Sequence, residues 1–240
     1  MREFERKVIP SCLSNKYSNT SKTFQQDRTE RWLKRVKKHK IEEIKSISFN
    51  WYKLDKSLVP LLKEMTQGHC AFCDRKFSED DSVEIEHFIP KINFPESAFE
   101  WENLFPICRK CNSKKGEKHN EGLLKPDSKN YKFHKHFSFE NIKTCKIIPK
   151  STEAEITKKI YDLNRSTLLK ARKKELEEIE ERIADKRKIS QLESKQKIIN
   201  NFFNYEPKND SDKEIICKFL TNKIDDYSYR NFIEFCYPLD

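Results

Sequence analysis

Cys70-Ala71-Phe72-Cys73, Glu84-Ile85-Glu86-His87-Phe88-Ile89-Pro90 and Cys108-Arg109-Lys110-Cys111-Asn112 form the stretch on which the fold turns. Two CxxC pairs at this separation read as a structural zinc site. Each tight turn supplies two thiolates, and zinc favours four of them in a tetrahedron. Cys70, Cys73, Cys108 and Cys111 would pin the ends of a loop too polar to hold itself together. A closed four-thiolate site has no open coordination position, so its ion holds structure and does no chemistry. The carboxylate–histidine pair inside the loop therefore needs a separate explanation, since a purely structural finger has no use for it.

Phosphodiester hydrolysis supplies one. It needs a base to deprotonate water, a cation to take charge from the phosphate and the leaving oxygen, and a group to orient the base. His87 suits the first role because its ordinary pKa lies near neutrality. Glu86 and Asn112 offer the oxygen ligands preferred by Mg²⁺ or another hard divalent cation. Asn103 could fix the imidazole by a side-chain or backbone hydrogen bond. Adjacent residues on a regular strand face opposite ways, so Glu86 and His87 share one site only if the strand ends or bulges there. Pro90 makes such an end plausible.

Working outward, the 240 residues suffice for one ordinary domain or two small ones, and Phe, Tyr and Trp supply apolar area in a chain that is 37% charged. The net charge of +10 favours polyanions, phosphate backbones first. Residues 1–11 lack an apolar signal core, no run is long enough for a membrane span, and the cysteines fall in CxxC pairs. The expected compartment is therefore the reducing cytoplasm, with no membrane partner. Residues 11–27 read as a polar connector. Trp32, Leu33, Val36, Ile41, Ile44 and Ile47, then Leu58, Leu61, Leu62 and Met65, recur at helical spacing, and Gly68 closes the second series. Val83 to Ile85 alternate as a strand, and a short helix is expected from Asn112 towards Asn120. Tyr131 to Phe139 read as strand or irregular chain. Thr152 with Glu155 reads as a capping box. Ile156 to Ile183 then mark one helical face broken near Asn164, and a turn at 206–210 precedes a last amphipathic stretch to Tyr237. The expected fold class is α+β, mostly helical: a small zinc-stabilised finger embedded between helical segments, which the resemblance described next makes a ββα-metal finger. The expected divisions are 1–67, 68–127 and 128–240.

The order CxxC, Glu-His-Phe-Ile-Pro, Trp101-Glu102-Asn103-Leu104 and CxxC-Asn112-Ser113-Lys114-Lys115-Gly116 resembles the zinc-bearing HNH endonucleases of the ββα-metal class. That resemblance implies His87 as general base, Glu86 and Asn112 as ligands of the catalytic metal, and Asn103 as the residue positioning the base. The class more often has Asp where Glu86 stands, which leaves Glu84 as a second candidate. Outside the finger, Phe94-Pro95 and Leu123-Leu124-Lys125-Pro126-Asp127, with Ile160, Leu163-Asn164-Arg165, Leu168 and Arg172, are similar to the PtuB family, the HNH subunit of Septu and retron-type anti-phage systems. This implies an ATPase partner of the PtuA type and, in the retron-type systems, a reverse transcriptase and its DNA.

Arg109, Lys110, Lys114, Lys115 and Lys118 crowd the second knuckle and are expected to contact phosphates, although a solvated basic face is the simpler alternative. Arg31 to Lys40 form a second basic run with the same two readings. His119 lies two helical turns beyond Asn112 and would share its face if the helix continued. His39, His69, His134 and His136 carry no pattern that makes a site. Cys12, Cys145, Cys217 and Cys236 read as single thiols that pack as small hydrophobes. Two other functions remain open: a non-catalytic zinc-finger nucleic-acid-binding module, and a stand-alone restriction-like or homing-type DNase. An RNase uses the same metal chemistry. DNA is the favoured substrate.

Overall fold

Alternation of apolar residues at Val83 and Ile85, and an apolar run at Leu104–Ile107, give two strands that pair antiparallel: β1 (Val83–His87) and β2 (Leu104–Cys108). Their register sets His87 against Leu104 and Glu86 against Phe105, so the ladder ends at the histidine. The chain then enters a helix, Arg109–Lys115, whose N-cap is Cys108 and whose end is set by Gly116 at φ +52°, its N–H donating to the Asn112 carbonyl at 2.8 Å. A left-handed φ of this kind favours glycine. These three pieces form the expected ββα unit. In the computed structural model, residues 1–16, 21–45, 47, 49–190, 229, 231 and 232 are described.

Ahead of the finger come helices α1 (Ser11–Ser14), α2 (Phe24–Lys38), α3 (Ile41–Lys45), α4 (Trp51–Leu54) and α5 (Leu58–Met65); the helix after β2 is α6. Helix α2 starts earlier than its apolar spacing predicts, because Thr23 and Gln26 form a capping box inside the stretch read as a connector. Later come α7 (Phe133–His136), β3 (Phe137–Phe139), β4 (Ile147–Pro149), α8 (Thr152–Tyr161) and α9 (Ser166–Ser190). The break near Asn164 is present: Asp162 adopts φ +47° between α8 and α9. Ser151, not Thr152, caps α8, its hydroxyl accepting from Ala154 N at 3.2 Å. The turn expected at 206–210 and the stretch beyond it, apart from Tyr229, Asn231 and Phe232, lie outside the described residues, as do Cys217 and Cys236.

Two units divide the chain. The first comprises Met1–Ser138 and Pro149–Leu163. Its core places α5 residues Leu58, Leu62 and Met65 with Phe72, Trp101, Leu104, Phe105 and Ile107, all buried. The second comprises Phe139–Ile148 and Asn164–Asp240. There the Asn164 amide brackets the Ile147 main chain, accepting at 2.8 Å and donating at 2.9 Å, and Arg172 donates to the Cys145 carbonyl at 2.9 Å. Leu168, Leu176, Ile179 and Phe232 supply its buried apolar side chains.

The first seven residues are strapped to the finger. Arg2 donates to Asp74 at 2.5 Å and to Gln67 at 2.8 Å. Arg6 donates to Asp127 and to the Trp101 carbonyl at 2.5 Å, with its guanidinium 4.5 Å from the Phe105 ring centroid. The Trp101 indole returns a bond to the Lys7 carbonyl at 2.8 Å. Both ends of the Arg2–Asp74 pair are buried, and Asp74 holds φ +62° just past the first knuckle. Removing one partner strands a charge out of water, so Arg2→Ala is expected to cost about 3–5 kcal/mol. Urea denaturation checks this; an unchanged midpoint would show that Asp74 finds another partner.

Candidate active site

The two knuckles close on one another. All four sulfur atoms of Cys70, Cys73, Cys108 and Cys111 lie within 4.8 Å of one another, and Cys73 Sγ is 3.8 Å from Cys108 Sγ. That separation matches the edge of a thiolate tetrahedron with metal–sulfur bonds of about 2.3 Å. The first knuckle is held by Ala71 N to the Pro106 carbonyl, 3.0 Å, and the sulfur of Cys70 accepts from Cys108 N at 3.4 Å. All four cysteines are buried. Ionised thiolates crowded this way out of water are not tolerated without a cation among them. Donor chemistry and geometry thus fit a closed tetrahedral ion such as zinc.

Glu86, His87, Asn112, Lys91, Lys45 and Glu117 line a cleft of about 200 Å³ where β1 ends against α6. The strand end resolves the expected conflict of facing, since both Glu86 and His87 border the same cleft. His87 Nε2 lies 2.9 Å from the Ala98 carbonyl oxygen. A carbonyl only accepts, so Nε2 carries the proton and Nδ1 the lone pair. Burial, followed by the positive charge of Lys91, pushes the imidazole pKa down to about 3. It is therefore neutral at physiological pH. The rings of Phe49 and Trp51 stand 5.6 and 5.7 Å from the imidazole and explain much of that burial.

Asn103 does not bond the imidazole. Its Oδ1 accepts from Ile89 N at 2.7 Å, and its Nδ2 donates to the carbonyls of Ile89 and Ser97 at 3.0 and 2.8 Å. It thereby ties the start of the loop after β1 to Ser97, the residue preceding Ala98. Ala98 is the orienting partner that sequence reasoning missed; a main-chain carbonyl leaves no side-chain signature.

Asn112 Nδ2 donates to Glu84 at 2.6 Å, which leaves Asn112 Oδ1 as the amide oxygen available to a cation. Glu84 and Glu86 alternate onto the same face of β1. Burial pushes the Glu86 carboxyl up to about 7, against the opposing pull of Lys115. The Glu86 carboxylate and the Asn112 amide oxygen border the cleft, with Glu84 bonded behind Asn112, and oxygen donors of this kind suit a hard divalent cation.

The basic cluster separates in space. Arg109, Lys110, Lys114 and Lys118 are exposed, with Lys114 bonded to Asp162 at 2.8 Å. Lys115 is not on that face. It is fully buried, ion-paired with Glu86, and donates to the His87 carbonyl at 2.9 Å. A side chain sealed this way cannot meet a phosphate on the surface, so the expectation of a phosphate contact fails for Lys115. His119 is not on the Asn112 face either, because the helix stops at Gly116; its ring packs 5.7 Å from Phe94. In the second basic run, Arg31 and Lys34 pair with Asp27 and Glu30 at i,i+4 spacing.

A ββα unit with four converging thiols, a buried histidine and oxygen donors at the strand–helix junction defines the HNH class, and residues 70–118 match the family described as HNH endonuclease. The chain thus carries an HNH endonuclease domain. Two relatives are each called Septu protein PtuB. That of Bacillus thuringiensis is 41% identical over 56 residues, 23% of this chain and 22% of the relative. That of Bacillus mycoides (strain KBAB4) is 28% identical over 178 residues, 62% of this chain and 60% of the relative. The chain therefore spans less than two thirds of the length of either relative. No helix among the described residues is long and apolar enough to cross a membrane.

Proposed function

We propose that this chain is a metal-dependent endonuclease that hydrolyses nucleic-acid phosphodiester bonds as the nuclease of a Septu-type defence complex. The observation that supports it most is the buried, neutral His87, with Nε2 tied to Ala98 and the Nδ1 lone pair left for a water, in one cleft with Glu86 and Asn112. His87 Nδ1 takes the proton of the attacking water, whose oxygen bonds phosphorus as the bond to the 3′ oxygen breaks. Glu86 and Asn112, with Glu84 behind Asn112, would hold a divalent cation such as Mg²⁺. When bound, it neutralises charge on the phosphate and the departing oxygen. Asn103 is a positioning residue that fixes the loop carrying Ala98. Zinc on Cys70, Cys73, Cys108 and Cys111 is the structural ion. Arg109, Lys110, Lys114 and Lys118 would track the backbone of the substrate. Similarity to PtuB extends the proposal to an ATPase partner of the PtuA type.

Plasmid DNA and total RNA incubated with purified chain, alone and with that ATPase, over a Mg²⁺ series provide the test. Cleavage should require the cation, and Glu86→Gln or Asn112→Ala should raise the half-saturating Mg²⁺ concentration roughly 10–100-fold. If both polymers stay intact under every condition, the chain is a zinc-centred binding module and not a nuclease.

A further inference from the structure

Three lysines border the cleft or its wall, and two are already engaged. Lys45 pairs with Glu117 at 3.4 Å, and Lys115 pairs with Glu86. Lys91 differs. Among the described residues its ammonium enters no ion pair, and its close partner is the face of the Phe49 ring, with Nζ 4.8 Å from the centroid. Both its main chain and its side chain are fixed from outside the matched domain: the Trp32 indole donates to the Lys91 carbonyl at 3.4 Å, and Phe49 carries the ammonium. Phe49 is itself held, stacked on Phe99 at 4.9 Å and edge-on to Trp32 at 4.9 Å. A lysine lining a cleft gives up hydration of its charge, and the cation–π contact, with the Glu86 and Glu117 carboxylates beyond ion-pair distance, returns only part of it. An anion entering the cleft supplies the rest.

We propose that Lys91 is a catalytic residue of this cleft, its ammonium binding a non-bridging oxygen of the scissile phosphodiester beside His87, with Phe49 as the positioning residue that aims it. This rests on the nuclease reading above and names a contact within it. Hydrolysis builds charge on the non-bridging oxygens as well as on the leaving oxygen. Glu86 and Asn112 would hold a cation that takes part of that charge, and Lys91 takes another part. Its single charge binds the phosphate common to DNA and RNA and reads no base.

Wild type, Lys91→Met and Lys91→Arg separate the possibilities. Met keeps the apolar stem, so the zinc content and melting temperature should stay at the wild-type values. Binding to a fluorescent DNA duplex and to a fluorescent RNA strand is measured without added Mg²⁺ and without chelator, so that the zinc stays in place, across a salt series; this requires no turnover. Loss of one phosphate contact should flatten the slope of log K against log[salt] by about 0.9 in Lys91→Met, with Lys91→Arg restoring it. On whichever polymer the wild type cuts, Lys91→Met should lower kcat about 10²-fold at unchanged half-saturating Mg²⁺. An unaltered salt slope in Lys91→Met overturns the assignment whether or not turnover is seen. A wild type that binds but never cuts overturns the nuclease reading alone, and the slope then decides Lys91. A wild type that binds neither polymer overturns both.

Discussion

His87→Ala is expected to remove Mg²⁺-dependent cleavage almost entirely, since loss of a general base costs about 10²–10⁴ in rate. Glu86 borders the same cleft, but it is ion-paired with Lys115 and is assigned to the cation. The neighbouring ring faces belong to Phe49 and Trp51, and Lys115, the nearest buried titratable group on α6, carries the wrong charge for a base. Single-turnover cleavage by wild type and variant measures the effect, and cleavage that survives in the variant would falsify the assignment of the base. Titration gives the same residue a second signature. With a folded-state value of about 3 against about 6.5 in an unfolded chain, His87 binds a proton on unfolding anywhere between those pH values. The native form therefore loses stability as pH falls from 6.5 towards 3. His87→Ala should show a shallower fall over that window in urea denaturation at stepped pH.

Removing the structural ion is the other large effect. Each cysteine pair sits in a short turn, and the first knuckle is tied to β2 by Ala71 N to the Pro106 carbonyl and by Cys108 N to the Cys70 sulfur. Structural zinc in finger peptides contributes about 10–16 kcal/mol. That matches or exceeds the net stability of about 5–15 kcal/mol available to a whole domain. Chelation, or Cys108→Ser, should therefore unfold the finger, collapse β1–β2 and eliminate nucleic-acid cleavage together. Elemental analysis should find one zinc per chain in the wild type. A chain that is stripped of metal yet melts at the same temperature would show that the four thiols hold themselves together without it.

What could be read from the sequence follows from the range of each interaction. Four cysteines in two pairs, an acidic–histidine strand end and an asparagine after the second pair are local signatures, and they place the ββα unit and its cleft at residues 83–115. Helix α2 was partly hidden because Thr23 and Gln26, polar residues in a polar stretch, make its cap. The orientation of His87 was hidden because Ala98 acts through its main chain. Lys115 misled for the opposite reason: in a run of basic residues nothing marks the one that points inward, and only the three-dimensional position of Glu86 reveals it. The roles of Arg2 and Arg6 carry no local signature, since their partners Asp74 and Asp127 lie 72 and 121 residues away.

The aromatic sheath over His87 bears on what counts as a transplantable nuclease. Phe49 and Trp51 lie upstream of the matched residues 70–118, yet they wall in the histidine, and Phe49 also seats Lys91. A fragment cut at the boundaries of the family match would keep every signature residue and its metal knuckles while opening the imidazole to solvent. Such a fragment would lose much of the burial that holds the imidazole pKa down, so His87 would titrate higher, and it would forfeit a fixed ammonium. The smallest unit able to carry this chemistry into another protein therefore starts no later than Trp32, well before the first cysteine.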